Sequence, residues 1–99
     1  PINNILYVEA QLHTVIVNVQ KDRLGKNIKQ YQYYSSLSAV EKQLEPLGFL
    51  RVHKGFLVNM NKIKKFQCHE VVLSNGCSLR VSEKNYAKQK EKYLLWKGR

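Results

Sequence analysis

Phe49-Leu50-Arg51-Val52-His53-Lys54-Gly55-Phe56-Leu57-Val58-Asn59 is the stretch on which the rest of the chain turns. Apolar residues interleave with Arg51, His53 and Lys54, and a second apolar run follows Gly55. Alternation of this kind predicts two short strands joined by a tight turn. The apolar positions anchor the backbone in a core, and the cations are then held on a rigid edge. Gly55 allows close approach of backbone to backbone or to phosphate. Charge alone is equally compatible with a solvated loop whose cations are incidental.

The pattern continues outward on both sides. Ile5-Leu6-Tyr7-Val8-Glu9 is short and β-prone, and His13 opens a β-branched run through Val19 in which Val15, Val17 and Val19 alternate. Asp22 to Asn27, with Gly25, reads as a turn, and Asn27 to Tyr34 as a strand. Tyr31, Tyr33 and Tyr34 are expected to pack on a sheet face, although such a run can also stack on unpaired bases. Leu37, Val40, Leu44 and Leu47 then fall at helical spacing. Ser38 and Glu41 can form a capping box, with Ser36 the other candidate cap, and Pro46-Leu47-Gly48 ends the helix.

After the central stretch come Ile63 to Gln67 and a hairpin: Val71-Val72-Leu73, the turn Ser74-Asn75-Gly76, and Cys77 to Val81. Asn-Gly readily adopts positive φ, which favours this turn. Ser82 to Trp96 lacks Gly and Pro and reads as a helix, with Tyr86, Tyr93 and Leu94 as its apolar side. The order is β-β-β-α-β-β-β-β-α. The chain is expected to be one domain over residues 1–99. It opens on Pro1 rather than methionine, and is expected to be excised from a longer regulator.

The 99 residues carry 17 Lys+Arg against 7 Asp+Glu, a net charge of +10, while 43% are apolar. Such a chain is globular, and its field favours a polyanionic partner. No apolar run is long enough to span a bilayer, and no signal-peptide pattern is read, so the expected compartment is the cytoplasm and no membrane partner is expected. Cys68 and Cys77 form no CxxC, so no zinc site and no cofactor are expected, and Cys77 is read as filling a half-buried strand position. His13, His53 and His69 are far apart, acids are few, and no phosphate-binding glycine loop exists, so the chain is read as not an enzyme, with no catalytic residues.

These segments together resemble the LytTR family of bacterial DNA-binding domains, the effector domains of LytR/AgrA-type response regulators. The resemblance is carried by Ile5 to Glu9 with His13, by Ser36-Leu37, and by the block Arg51-x-His53-x-x-Phe56-Leu57-Val58-Asn59. Ile63, Val72 to Gly76 and Leu79-Arg80-Val81-Ser82 extend it over nearly the whole chain. It implies a mainly β fold: an elongated stack of small antiparallel sheets with one short amphipathic helix and a C-terminal helix. It also implies sequence-specific duplex binding by loops inserted in the major groove, paired repeats bound by two copies, and an N-terminal receiver domain. His13, Lys54 and Lys84 match base-contacting positions, and Arg51, His53, Gly55, Arg80 and Asn85 are expected near the DNA backbone. Lys54 and Lys84 stand where relatives carry asparagine and arginine; lysine can donate to guanine O6 and N7, or to phosphate. Cys68 and Cys77 do not match the redox cysteine pair of some relatives. The competing readings are a single-stranded nucleic acid or RNA-binding β-module, and a protein-interaction domain with incidental charge.

Overall fold

Period-2 stretches pair into antiparallel strands in the computed structural model, which describes residues 2–22 and 27–98. The strands β1 (Ile5–Gln11), β2 (Thr14–Gln20) and β3 (Ile28–Tyr34) precede helix α1 (Leu37–Leu44). β4 (Phe49–His53), β5 (Phe56–Asn59), β6 (Ile63–Phe66), β7 (Glu70–Leu73) and β8 (Ser78–Arg80) follow, and α2 (Tyr86–Lys97) closes the chain. Five strands therefore follow α1, one more than the order β-β-β-α-β-β-β-β-α counts, and each coincides with a β segment expected from the sequence. One sheet has the order β3-β2-β1-β5-β4 and the other β6-β7-β8. The expected turn at Asp22 to Asn27 has residues 23–26 outside the described residues; beside them, Asn27 donates through Nδ2 to Asp22 Oδ2 at 2.8 Å.

Alternation along β4 and β5 gives the large sheet two buried faces. Phe49 and Leu57 join Val8 and Val15 beneath Leu37 and Val40 of α1. Leu50, Val52 and Val58 face the other way, onto Phe66, Val71, Leu73 and Leu79 of the small sheet and Tyr93 of α2. The result is three layers, with the small sheet and α2 on one side and α1 on the other. The molecule measures 31 × 30 × 23 Å, a slab rather than the elongated stack the resemblance implied, because the small sheet and α2 lie across the large sheet instead of extending it.

Several local readings are corrected. Ser36 is the α1 cap, its Oγ accepting from Ala39 N at 3.1 Å, while Ser38 and Glu41 both receive Arg51 instead of forming a capping box. Leu47 is 48% exposed, because α1 stops at Leu44 and Glu45–Leu47 tightens to a 3-10 turn that rotates it off the buried stripe. Gly48 then takes φ +98°, and Trp96 packs so closely that a Cβ there would lie 2.6 Å from its ring. On α2, Trp96 rather than Leu94 joins Tyr86 and Tyr93 against the core. In the last hairpin only Gly76 has positive φ; Gly76 N donates to Leu73 O, and Asn75 contributes through its side chain, Oδ1 accepting from Cys77 N at 3.0 Å.

β3 departs most from its expected setting. All seven of its residues are exposed, Tyr31 and Tyr33 by 46% and Tyr34 by 86%, so the tyrosines do not pack in a core. β3 is the edge strand beyond β2, and neither α1 nor the small sheet reaches across to cover it.

Candidate nucleic-acid interface

Three turns converge on one rim of the large sheet. β1 and β2 are joined by the two residues Leu12 and His13, since Gln11 pairs with Thr14. β4 and β5 are joined by Lys54 and Gly55, since His53 pairs with Phe56. β1 runs antiparallel to β5, so the first tip emerges at the same end as the second. Neighbouring strands lie about 4.8 Å apart, which places the two tips roughly 10 Å from one another. Ala10 N donates to Gly55 O at 3.0 Å and locks the tips together. The third segment leaves β8: Ser82 N donates to Val52 O at 2.8 Å, and Val81 N to His69 O at 3.1 Å, fixing Glu83–Asn85 beside the edge of β4. Val52 is the extra residue of a β-bulge opposite β5.

His13, Lys54, Lys84, Arg80 and Asn85 are all exposed along this rim. His13 sits in the turn itself, not at the start of the strand. Its carbonyl accepts from Ser35 N at 3.2 Å, tying the tip to the entry of α1. Lys84 and Asn85 lie in the 3-10 turn before α2, with Asn85 N donating to Ser82 O at 3.3 Å.

Arg51 is occupied by the protein itself. It sits on the α1 face of β4, where Nη2 donates to Lys54 O at 2.6 Å and Nη1 to Glu41 Oε1 at 2.9 Å. Longer contacts at 3.3 Å run from Nε to His53 O and from Nη1 to Ser38 Oγ. The guanidinium thus staples α1 to the Lys54 turn. Gly55 is also engaged: its N donates to His53 Nδ1 at 3.0 Å and its O accepts from Ala10. With Nδ1 accepting, a neutral His53 ring carries its proton on Nε2, which remains a donor. The Gly55 φ is not positive, and a Cβ there would meet only His53 Nδ1 at 3.5 Å, so neither backbone conformation nor crowding requires glycine.

Beside the rim, His53, His69, Arg80, Val81, Ser82 and Glu83 line a groove of about 530 Å³. His69 Nδ1 faces Glu83 Oε1 at 3.4 Å. Its lining carries one permanent cation, Arg80, and one carboxylate, Glu83. Among the described residues, no three His, Cys, Asp or Glu come together to hold a metal ion. Among the described residues, no helix is long and apolar enough to cross a membrane.

A family model for the LytTr DNA-binding domain matches residues 1–93. This chain belongs to the LytTR family. The LytTR domain is 28% identical over 97 residues to the sensory transduction protein LytT of Enterococcus faecalis, covering 91% of the chain and 40% of that protein. It is 32% identical over 57 residues to the transcriptional regulatory protein LytR of Staphylococcus aureus, covering 52% of the chain and 23% of that protein. The chain therefore spans less than half of the curated relatives it matches. Among solved structures, it is similar to the LytTr DNA-binding domain of a Bacillus cereus protein described as a methyl-accepting/DNA response regulator. That likeness has TM-score 0.77 and 27% identity, covering 95% of this chain and 84% of the other. The mainly β LytTR fold with two helices is thereby established for this chain.

Two residues on the rim escaped the sequence reading. Leu12 sits beside His13 at the tip, 96% exposed with φ +55°. His69 reaches the groove because Val81 pairs back to it. Leu12 was legible only as an apolar residue interrupting a polar turn, Gln11-Leu12-His13-Thr14; His69 gave no signal beyond its residue type.

Proposed function

We propose that this LytTR domain binds duplex DNA sequence-specifically by inserting its rim turns into the major groove, as the effector domain of a bacterial response regulator. The observation that carries the reading is the locking of three cationic or histidine-bearing turns onto one rim by backbone hydrogen bonds. A preassembled rim of this kind loses little conformational freedom on binding. His13, Lys54 and Lys84 are the proposed base contacts. Arg80, Asn85 and the Nε2 of His53 are the proposed phosphate contacts, and Arg51 and Gly55 are proposed to position the Lys54 turn. Two copies on paired repeats, and a receiver domain in the full-length protein, belong to the same proposal.

Selection of bound duplexes from a random pool, followed by titration at two salt concentrations, tests it. Each phosphate contact contributes roughly −0.9 to the slope of log K against log salt. His13→Ala and Lys84→Ala are expected to lose on the order of 1–3 kcal/mol on the selected site only, relaxing choice at one position each. A slope near zero, or equal losses on selected and scrambled duplexes, counts against the reading. The exposed Tyr31, Tyr33 and Tyr34 favour one alternative, a base-stacking platform for single strands. Tyr34 pairs with Thr14 and so lies near the His13 tip. Competition separates the two, because a single-strand binder is displaced by unpaired DNA and a duplex reader is not.

A further inference from the structure

Leu12 is the only non-glycine residue with positive φ among the described residues, at +55°. It is also the most exposed large apolar side chain among them, at 96%. It occupies the first position of a two-residue hairpin turn. Positive φ there, with His13 following at negative φ, is the type II′ pattern, in which glycine is strongly preferred. An L-residue in the left-handed region is disfavoured by roughly tenfold in population. The turn is held by other means: Thr14 Oγ1 donates to Gln11 O at 2.9 Å, and Ser35 N donates to His13 O at 3.2 Å. The fold thus keeps a leucine where glycine would relieve strain, and directs it to water, where its isobutyl group gains nothing. Neither cost is returned within the domain, since Leu12 belongs to neither hydrophobic cluster.

We propose that Leu12 is a specificity residue that packs against the 5-methyl groups of thymine in the groove entered by His13. This rests on the duplex-binding reading above. The thymine methyl is the apolar feature that distinguishes base edges in the major groove, and apolar side chains read it by contact. A hairpin tip carrying leucine beside histidine therefore offers an apolar and a hydrogen-bonding probe to adjacent base pairs. Rigid mounting of the tip, through Ala10 and Gly55 on one side and Ser35 on the other, fixes where the isobutyl group falls.

The test replaces each thymine of the selected duplex, one at a time, with deoxyuridine, which removes the methyl and keeps the hydrogen-bonding edge. Wild type is expected to lose about fourfold at one or two positions, the value of one buried methyl. Leu12→Gly should bind the thymine duplex more weakly and show no uracil penalty at those positions, with a thermal midpoint unchanged or higher. Leu12→Met, which keeps an apolar side chain, should retain the penalty. A selected site without thymine, a penalty that persists in Leu12→Gly, or a variant loss equal on thymine and uracil duplexes overturns this proposal alone. Absence of salt-sensitive duplex binding by wild type overturns it together with the reading it rests on.

Discussion

Replacing Arg51 by methionine keeps the unbranched apolar stem and removes every donor of the guanidinium. Two short contacts disappear, to Lys54 O at 2.6 Å and Glu41 Oε1 at 2.9 Å, while the two at 3.3 Å are too long to contribute much. A hydrogen bond of this kind contributes about 0.5–1.5 kcal/mol. The Arg51–Glu41 pair, with side chains 23% and 28% exposed, is discounted for solvent screening and adds ~0.2–1 kcal/mol. The expected loss is about 2 kcal/mol, which for a domain of this size lowers the melting midpoint by roughly 10 °C. The Lys54 turn also loses its tie to α1, so affinity for the selected duplex should fall several-fold. The decisive assay is the salt dependence. If Arg51 positions the turn, the slope of log K against log salt stays at the wild-type value. If Arg51 instead grips a phosphate, the slope shallows by about 0.9 while stability hardly changes. A shallower slope with an unshifted melting midpoint refutes the reasoning.

Gly48→Ala should destabilise by about 2–3 kcal/mol, combining left-handed strain at φ +98° with displacement of the Trp96 ring 2.6 Å from the added Cβ; fluorescence of Trp96, the only tryptophan, should shift to the red. Burial, aided by nearby Cys77 and Glu9, pushes the Tyr7 phenol up to about 12. The raised value means the folded state holds its proton longer, so this stabilisation is complete below pH 10 and is lost as pH rises towards 12. Alkaline melts of Tyr7→Phe should therefore lack part of the wild-type decline, and superimposable pH profiles would contradict this. Cys68 is exposed and Cys77 half-buried, so Cys68→Ser should change neither stability nor DNA affinity in reducing buffer, whereas Cys77→Ser should cost some stability and leave the salt slope unaltered.

The β4–β5 unit was legible because apolar alternation and a turn glycine agree over eleven residues, and the Asn-Gly hairpin because its turn chemistry is local. What lay outside that reach was each residue's neighbour in space. Tyr31, Tyr33 and Tyr34 identified a strand, but only the sheet order makes it an edge whose residues are all exposed. Leu47 and Leu94 obeyed helical spacing and still ended exposed, since a 3-10 turn and the placement of Trp96 set the phase. Arg51 was expected near the DNA backbone, and its pairing with Glu41 of α1 depends on a register that the sequence does not display. His13, Lys54 and Lys84 were singled out by resemblance, and the structure gathers them on one rim. Leu12 carries no compositional mark of its backbone conformation.

Because β1 pairs with β5, the rim cannot exist until distant parts of the chain have met. Residues 5–34 can form a meander as soon as they are available, yet the Lys54 turn must travel back across α1 to dock beside Ala10, and Ser82 must then find Val52. Non-local closures of this sort are the slow steps of β folding. A nascent or partly unfolded copy would thus carry much of the positive charge without the three aligned turns. It could cling to nucleic acid through its charge alone but could not register on a site, so sequence choice would be acquired late and lost early, ahead of the residual secondary structure.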